Sequence, residues 1–343
     1  MSDQLAQDII TALPSPVLLI GPDDRVMVQN AAMTALLTLD FAGRHHITAL
    51  RQPATLDAIA LARSTGAAQT ARYLTRVDGT DRTYATMAVP QSGHIIVTMA
   101  DQTAAAQTDV LRRDFVANVS HELRTPLTAL LGFIETLQGP ARDDPAARAR
   151  FLEIMGTEAD RMRKLVDDLL SLSRVEETQR KRPETLIDIS SVVRQAVELL
   201  GDVATTRGTI LKVDIAADLP LIPGDEGQLQ QVMNNLIENG IKYGATNEGV
   251  VISVAKPAFA EALRQDAICV IVRDFGDGIP AHHLVRLTER FYRVDTHRAR
   301  EMGGTGLGLA IVKHITNRHR GRLFFESTLG QGTTVTLLLP TAI

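Results

Sequence analysis

The sequence predicts a multidomain α+β chain: a small unit with an antiparallel sheet, a long antiparallel helical hairpin, and an α/β region reaching the C-terminal end. Three observations carry this expectation. Strand-sized apolar runs separated by turn residues fill the chain to about residue 100; apolar residues at steps of three and four continue to about residue 177; strand and helix patterns then alternate. At 343 residues the chain also exceeds one ordinary core, so two or three domains are expected.

In the first unit, PVLLI, the turn GPDD and RVMVQ predict two strands joined by a hairpin, and Asn30 is placed to cap a helix through Leu37. Segments 70–77, 83–89 and 94–100, divided by the turn signals DGT and PQSG, complete an antiparallel sheet. From about residue 101 to residue 139 a long helix is expected, with a seam of Val116, Val119, Leu123, Leu127, Leu130, Ile134 and Leu137. Gly139 and Pro140 stop it. Asp144 and Pro145 then offer an N-cap and first-turn proline for a second helix to about Glu177, whose seam is Met155, Met162, Leu165, Leu169 and Leu172. Two such helices cannot enclose a core alone, so pairing of two hairpins into a four-helix bundle, and hence a homodimer, is the economical solution. A polar linker over 176–184 leads into the α/β region.

Composition narrows the partners. Hydrophobic residues make up 45% and charged residues 22%, the balance of soluble domains rather than disordered or fibrous chains. A net charge of −4 gives no electrostatic reason to expect a nucleic-acid partner, and Arg180, Lys181 and Arg182 read as a solvated linker. No stretch approaches the roughly 18 apolar residues of a membrane span, and no secretory signal pattern opens the chain, so a cytoplasmic protein without a transmembrane segment is expected. The single cysteine, Cys269 in the run AICVIV, is expected as a buried strand residue.

The stretch FVANVSHELRTPLTAL, residues 115–130, carries the first chemistry. His121 lies two positions from both Val119 and Leu123, a rotation of about 200° at ~100° per residue, and so faces away from the seam. A neutral imidazole attacks phosphorus if its other nitrogen gives its proton to a positioned carboxylate, and the adjacent Glu122 is long enough to serve. Thr125, one turn on, shares the face of His121 and could hold a water there. Pro126 removes a backbone donor, so a bend just beyond the histidine is expected.

A second constellation begins with GDEGQLQQVMNNLIENGIKYG, residues 224–244. Asp225 and Gln228 form a capping box, and Leu229, Val232, Leu236 and Ile237 supply the core stripe of the helix that follows. Asn235, Asn239 and Lys242 fall at i, i+4 and i+7 on one face. Two amides and an amine suit triphosphate oxygens and a hard Mg²⁺, although spacing alone divides evenly between that use and a solvated polar face. In VIVRDFGDGIP, residues 270–280, a strand delivers Asp274 to a turn holding Gly276 and Gly278; its carboxylate can accept an exocyclic amine, and a plain turn is the bland alternative. ERFYRVD, residues 289–295, precedes a charged stretch expected to form a lid. GGTGLGLAIVKHI, residues 303–315, sets glycines directly before a helix, where backbone donors face phosphate.

These segments resemble known families. S-H-E-L-R-T-P-L, matched at every position from 120 to 127, resembles the phosphoacceptor box of histidine kinases, and the later segments resemble, in order, the N, G1, F and G2 boxes of their ATP-binding domain. The resemblance implies an ATP-dependent enzyme in which His121 is phosphorylated, Glu122 is the acid/base, and Thr125 serves dephosphorylation of a partner response regulator receiver domain. It further implies Asn239 on Mg²⁺, Asn235 and Lys242 at the phosphates, Tyr243 beside the base, and Asp274 reading adenine. Gly276, Gly278, Gly304, Thr305, Gly306, Leu307 and Gly308 would line the pocket and lid hinge. Gly240 departs from the Ala of many relatives and should cost helix stability. The strand, strand, helices, three strands of the first unit resemble a PAS sensory domain. Joined to this box they look most like the phosphate-regulon sensor kinases, whose likeness implies a membrane transporter or adaptor as input and recruitment to the inner membrane. The implied layout is a PAS-like domain over 1–100, a dimerisation and phosphotransfer hairpin over 101–177, a linker over 178–184 and an α/β-sandwich ATP-binding domain over 185–343.

Overall fold

The computed structural model describes residues 3–178, 181–244, 248–295 and 304–341. The chain divides into two compact units, residues 1–117 and 118–343.

The first unit opens with a helix that the sequence reading did not foresee, α1 (Asp3–Ala12). Strands β1 (Val17–Ile20) and β2 (Val26–Gln29) and helices α2 (Ala31–Leu37), α3 (His46–Ala49) and α4 (Pro53–Thr65) come next. They precede β3 (Gln69–Val77), β4 (Thr80–Gln91) and β5 (His94–Asp101), in one antiparallel sheet of order β2-β1-β5-β4-β3. Its core holds Leu18, Ile20, Met33, Leu50, Ile59, Ile95 and Met99. Asn30 does more than the expected cap. Its Oδ1 accepts from the amides of Val17 and Met33, while its amide nitrogen donates to the carbonyls of Leu13 and Ser15, so one buried side chain ties α1, β1 and α2 together. Asp101 ends the sheet and accepts from the amide of Thr103, starting the next helix.

That helix, α5 (Thr103–Gln138), contains the division between the units. It runs unbroken through Pro126, where the sequence suggested a bend. Asp144 caps α6 (Pro145–Thr178) by accepting from the amides of Ala146 and Ala147 at 2.9 and 3.0 Å. Phe133 and Phe151 meet across the hairpin with ring centroids 5.5 Å apart. Of the expected seam, Leu165 and Leu172 are buried in a half of α6 that packs along a later helix of the same chain, whereas Leu127 and Ile134 of α5 stay exposed.

The remaining elements are β6 (Leu186–Ile187), α7 (Ile189–Thr206), β7 (Leu211–Ile215), β8 (Ile222–Pro223), α8 (Glu226–Tyr243), β9 (Val250–Ala260), β10 (Gln265–Asp274), α9 (Ala281–Leu284), α10 (Gly308–Arg318), β11 (Arg322–Thr328) and β12 (Gly332–Pro340). Five strands form a sheet in the order β11-β12-β10-β9-β7, with only β7 and β9 parallel. Alternation on β10 buries Ile268, Val270 and Val272. Cys269 falls on the opposite face and is half-buried, not buried as expected, and its partial dehydration raises the thiol pKa. The capping box at α8 forms by half. Asp225 accepts from the amide of Gln228 at 3.1 Å, but its own amide donates to His319 Nε2 at 3.0 Å instead of to Gln228.

Candidate active site

A cavity of about 250 Å³ opens where the polar face of α8, the end of β10 and the glycine turn before α10 converge. Asn235, Asn239 and Lys242 all line it, as their i, i+4, i+7 spacing requires, together with Glu238, which shares their face. Glu238 Oε1 lies 2.9 Å from Lys242 Nζ and 2.7 Å from Lys164 Nζ. Burial alone would raise the Glu238 carboxyl, yet Lys242 and Lys164 together hold it below the usual range. Lys242 moves the other way for an ammonium: burial lowers its pKa, and the one anion it shares with Lys164 only partly restores it. Both shifts describe one carboxylate serving two amines.

Asp274 lines the cavity from the end of β10, and its Oδ1 accepts from the amides of Gly276 at 3.0 Å and Thr333 at 3.1 Å. Burial raises its pKa against the pull of those two donors. Tyr243, Gly278, Gly304, Thr305, Gly306 and Gly308 also reach the wall. Gly306 needs its hydrogen: φ is +74°, and a Cβ would sit 2.9 Å from the backbone of Phe291. Two expected lining residues do not line the cavity. Gly276 backs onto the Tyr243 carbonyl, 1.9 Å from where a Cβ would be, and Leu307 is fully buried beneath the turn. The charged stretch after Asp295, expected as a lid, falls on 296–303, which lie outside the described residues.

Gly240 is not the simple helix defect the sequence suggested. A Cβ there would stand 2.9 Å from Val250 Cγ1, so the missing methyl lets α8 lie close against β9.

The hairpin supplies part of the same wall. Lys164 and Asp168 of α6 line the cavity, and Asp168 Oδ2 accepts from Thr305 Oγ1 at 2.6 Å. Burial raises the Asp168 pKa, opposed by that bond and by Lys164. Further along α6, Ser171 donates to Gln231 Oε1 at 2.8 Å, and Glu176 pairs with Arg290 and with His314.

His121 is exposed on α5, as its phase against the seam predicts. Thr125 Oγ1 donates to the His121 carbonyl at 3.2 Å. Glu122 turns to a pair of arginines, its Oε2 accepting from Arg293 at 3.1 Å and from Arg161 at 3.4 Å. Arg293 belongs to the cavity wall, so the residue beside the histidine reaches the edge of the pocket.

Residues 224–343 match the family described as histidine kinase-, DNA gyrase B-, and HSP90-like ATPase, and residues 111–178 match the His Kinase A phospho-acceptor domain. Most of the cavity wall lies within the first match, whereas Lys164, Asp168 and His121 lie within the second. The chain thus combines a phospho-acceptor domain of the His Kinase A type with an ATPase domain of the histidine kinase type. Similar relatives include the sensor protein kinase WalK of Staphylococcus saprophyticus, 35% identical over 249 residues, 73% of this chain and 40% of that protein. The phosphate regulon sensor protein PhoR of Pseudomonas aeruginosa is 39% identical over 244 residues, 70% of this chain and 53% of that protein. The chain thus spans about half or less of the length of these relatives. Histidine kinase ThkA, solved in complex with response regulator protein TrrA, shares the fold at TM-score 0.51 and 18% identity over 98% of both chains. The AdeS kinase of Acinetobacter baumannii does so at TM-score 0.50 and 24% identity, over 65% of this chain and 98% of that one.

Sequence reading alone gave no role to Glu238, Arg293, Lys164, Asp168 or Arg161. Glu238 was within reach, because it stands three residues after Asn235 on the same helical face. Arg293 lay inside the quoted segment ERFYRVD without a role. The other three belong to α6, and no local spacing links that helix to a pocket built some seventy residues later.

Proposed function

We propose that this chain is an ATP-dependent protein histidine kinase that phosphorylates His121 and passes the phosphoryl group to an aspartate of a response regulator receiver domain. The observation that carries the reading is the cavity itself: two amides and an amine on one face of α8 stand opposite a half-buried carboxylate that has backbone bonds on one oxygen. Asp274 suits the exocyclic amine of adenine, with Tyr243 beside the base, and Asn235, Lys242 and the glycine turn over 304–308 suit the phosphates. The donor set fits a metal held jointly with substrate. Among the described residues no group of three or more His, Cys, Asp or Glu could hold one, whereas the Asn239 amide oxygen is a hard ligand that leaves most of the coordination sphere to phosphate and water. Mg²⁺ there would neutralise phosphate charge.

In the transfer step one ring nitrogen of His121 bonds to the γ-phosphorus as the bond to the ADP oxygen breaks, and the proton on the other ring nitrogen passes to Glu122. A homodimer is supported by the apolar side chains left exposed along α5. The PAS-like reading of residues 1–100 is supported by the element order and by the five-stranded antiparallel sheet. A phosphate-starvation input, with a membrane transporter or adaptor recruiting the chain to the inner membrane, draws on the Pseudomonas relative alone, and the WalK relative is matched comparably. No helix among the described residues is long and apolar enough to cross a membrane, which is compatible with the cytoplasmic reading.

The test is incubation with Mg-ATP. Phosphate should appear on the protein, stable to base and labile to acid, and His121→Ala should abolish it; equal labelling of that variant would remove His121 as nucleophile.

A further inference from the structure

Glu122 stands between two cations of different origin. Arg293 comes from the nucleotide-binding domain, with a side chain 6% exposed and an Nε that is buried without a hydrogen-bond partner among the described residues. Arg161 comes from α6, the other arm of the hairpin that carries His121, and lies in ionic contact, without a hydrogen bond, with Glu158 one turn earlier, NH1 to Oε2 at 3.8 Å. Both guanidiniums meet the same carboxylate oxygen, Oε2. Their geometric control differs. The span from Arg161 to Glu122 is set by the packing of α5 on α6, so it is fixed within the hairpin, whereas the span from Arg293 also depends on how the nucleotide domain lies against that hairpin.

We propose that Arg161 is a positioning residue for phosphoryl transfer: from the opposite helix it fixes the carboxylate of Glu122. The inference rests on the reading of Glu122 as the acid/base. Three physical points support it. A guanidinium stays protonated throughout the working pH range, so Arg161 orients the carboxylate without competing for the proton that leaves the imidazole. Glu122 is largely shielded from water, 18% exposed, so its orientation depends on protein donors more than on solvent. A carboxylate adjacent to the histidine in sequence does not share its helical face, so reaching back requires an external restraint on its rotamer. Arg161 supplies that restraint from a helix packed against α5, without belonging to the nucleotide pocket.

The experiment is steady-state autophosphorylation of the full chain with Mg-ATP, comparing Arg161→Ala, Arg161→Lys, Arg293→Ala and Glu122→Gln. Arg161→Ala should lower kcat roughly ten- to a hundred-fold, the scale of misplaced reacting groups, with KM for ATP changed less than about two-fold. Arg161→Lys should recover part of kcat, since it keeps the charge and loses the planar fork. Arg293→Ala should raise KM as well, because that side chain lines the cavity. A wild-type kcat in Arg161→Ala overturns the proposal. So does a kcat loss that Lys fails to restore and that tracks a lowered thermal midpoint, which marks a merely structural ion pair. Glu122→Gln separates the two layers: full activity in that variant removes the acid/base reading together with this inference, whereas an inactive Glu122→Gln beside a fully active Arg161→Ala removes the positioning role alone.

Discussion

The nucleotide-binding domain and the helical hairpin bury their apolar residues to different extents. In the domain Val232, Met233, Ile237, Val250, Ile252 and Leu337 are all shielded from solvent by their own chain. On the hairpin Leu127 is 49% exposed, Leu131 54% and Leu152 54%. A helical apolar stripe this open is an incomplete core, which a second copy can close, whereas the domain closes a core of its own and leaves apolar side chains such as Leu199, Phe259 and Val285 exposed outside it. If the proposed function holds, nucleotide binding and delivery of the nucleophile are separable: the cavity is lined by one chain, whereas the open stripe of the hairpin would close only on assembly.

The most severe way to test that separation is Asn239→Ala. Loss of the amide oxygen should abolish acid-labile labelling, while sizing by light scattering shows the same dimer as the parent. Labelling at the parental rate would contradict the assignment of Asn239. The converse experiment is Leu127→Glu, which puts a charge into the paired seam. It should shift the monomer–dimer equilibrium at least ten-fold toward monomer in analytical ultracentrifugation and leave the affinity for a fluorescent ATP analogue within about two-fold, since burying an unpaired charge costs several kcal/mol. An unaltered dimer would place the interface elsewhere.

A finer cut divides two activities on the hairpin itself. Thr125→Ala should retain most autophosphorylation yet slow regulator dephosphorylation about ten-fold, as expected where a hydroxyl aligns a water one turn from His121. Parallel loss of both would mean that Thr125 only shapes its turn, to which it already contributes by donating to the His121 carbonyl. The smallest effect probes the domain side. Gly240→Ala adds a methyl against Val250. Overpacking of roughly 1–3 kcal/mol should outweigh the ~1 kcal/mol gained in helix propensity. Thermal unfolding should fall by a few degrees, and Val250→Ala in the same molecule should restore it.

What could be read in the sequence follows from how local the cause is. The caps Asn30, Asp144 and Asp225 and the shared face of Asn235, Asn239 and Lys242 depend on residues within one or two turns, and all lie where the periodicity puts them. Thr70, Thr83 and Val89 mark strands in the right places, though the ladders extend further, because hydrogen bonding to a neighbour continues past the point where β-propensity fades. Tertiary causes were invisible. The partner of the Asp225 amide is His319, the reason for Gly240 is Val250, and the helix against which α6 packs lies more than a hundred residues away. In the site, residue types and spacing named the polar groups of α8 and β10, but they gave no warning that α6 would complete the wall.

That completion has a pharmacological consequence. The end of the cavity around Asp274, proposed above to seat adenine, lies wholly within the residues that match a wide ATPase family, so inhibitors anchored only there would be expected to meet many off-targets. Asp168 and Lys164 are contributed instead by the helical hairpin, which lies outside that family match and inside the match to the phospho-acceptor domain. A compound that spans from Asp274 to a cationic group seated on Asp168 would therefore read two domains at once, and its selectivity would come from an unpaired charge left behind in every ATPase without the second.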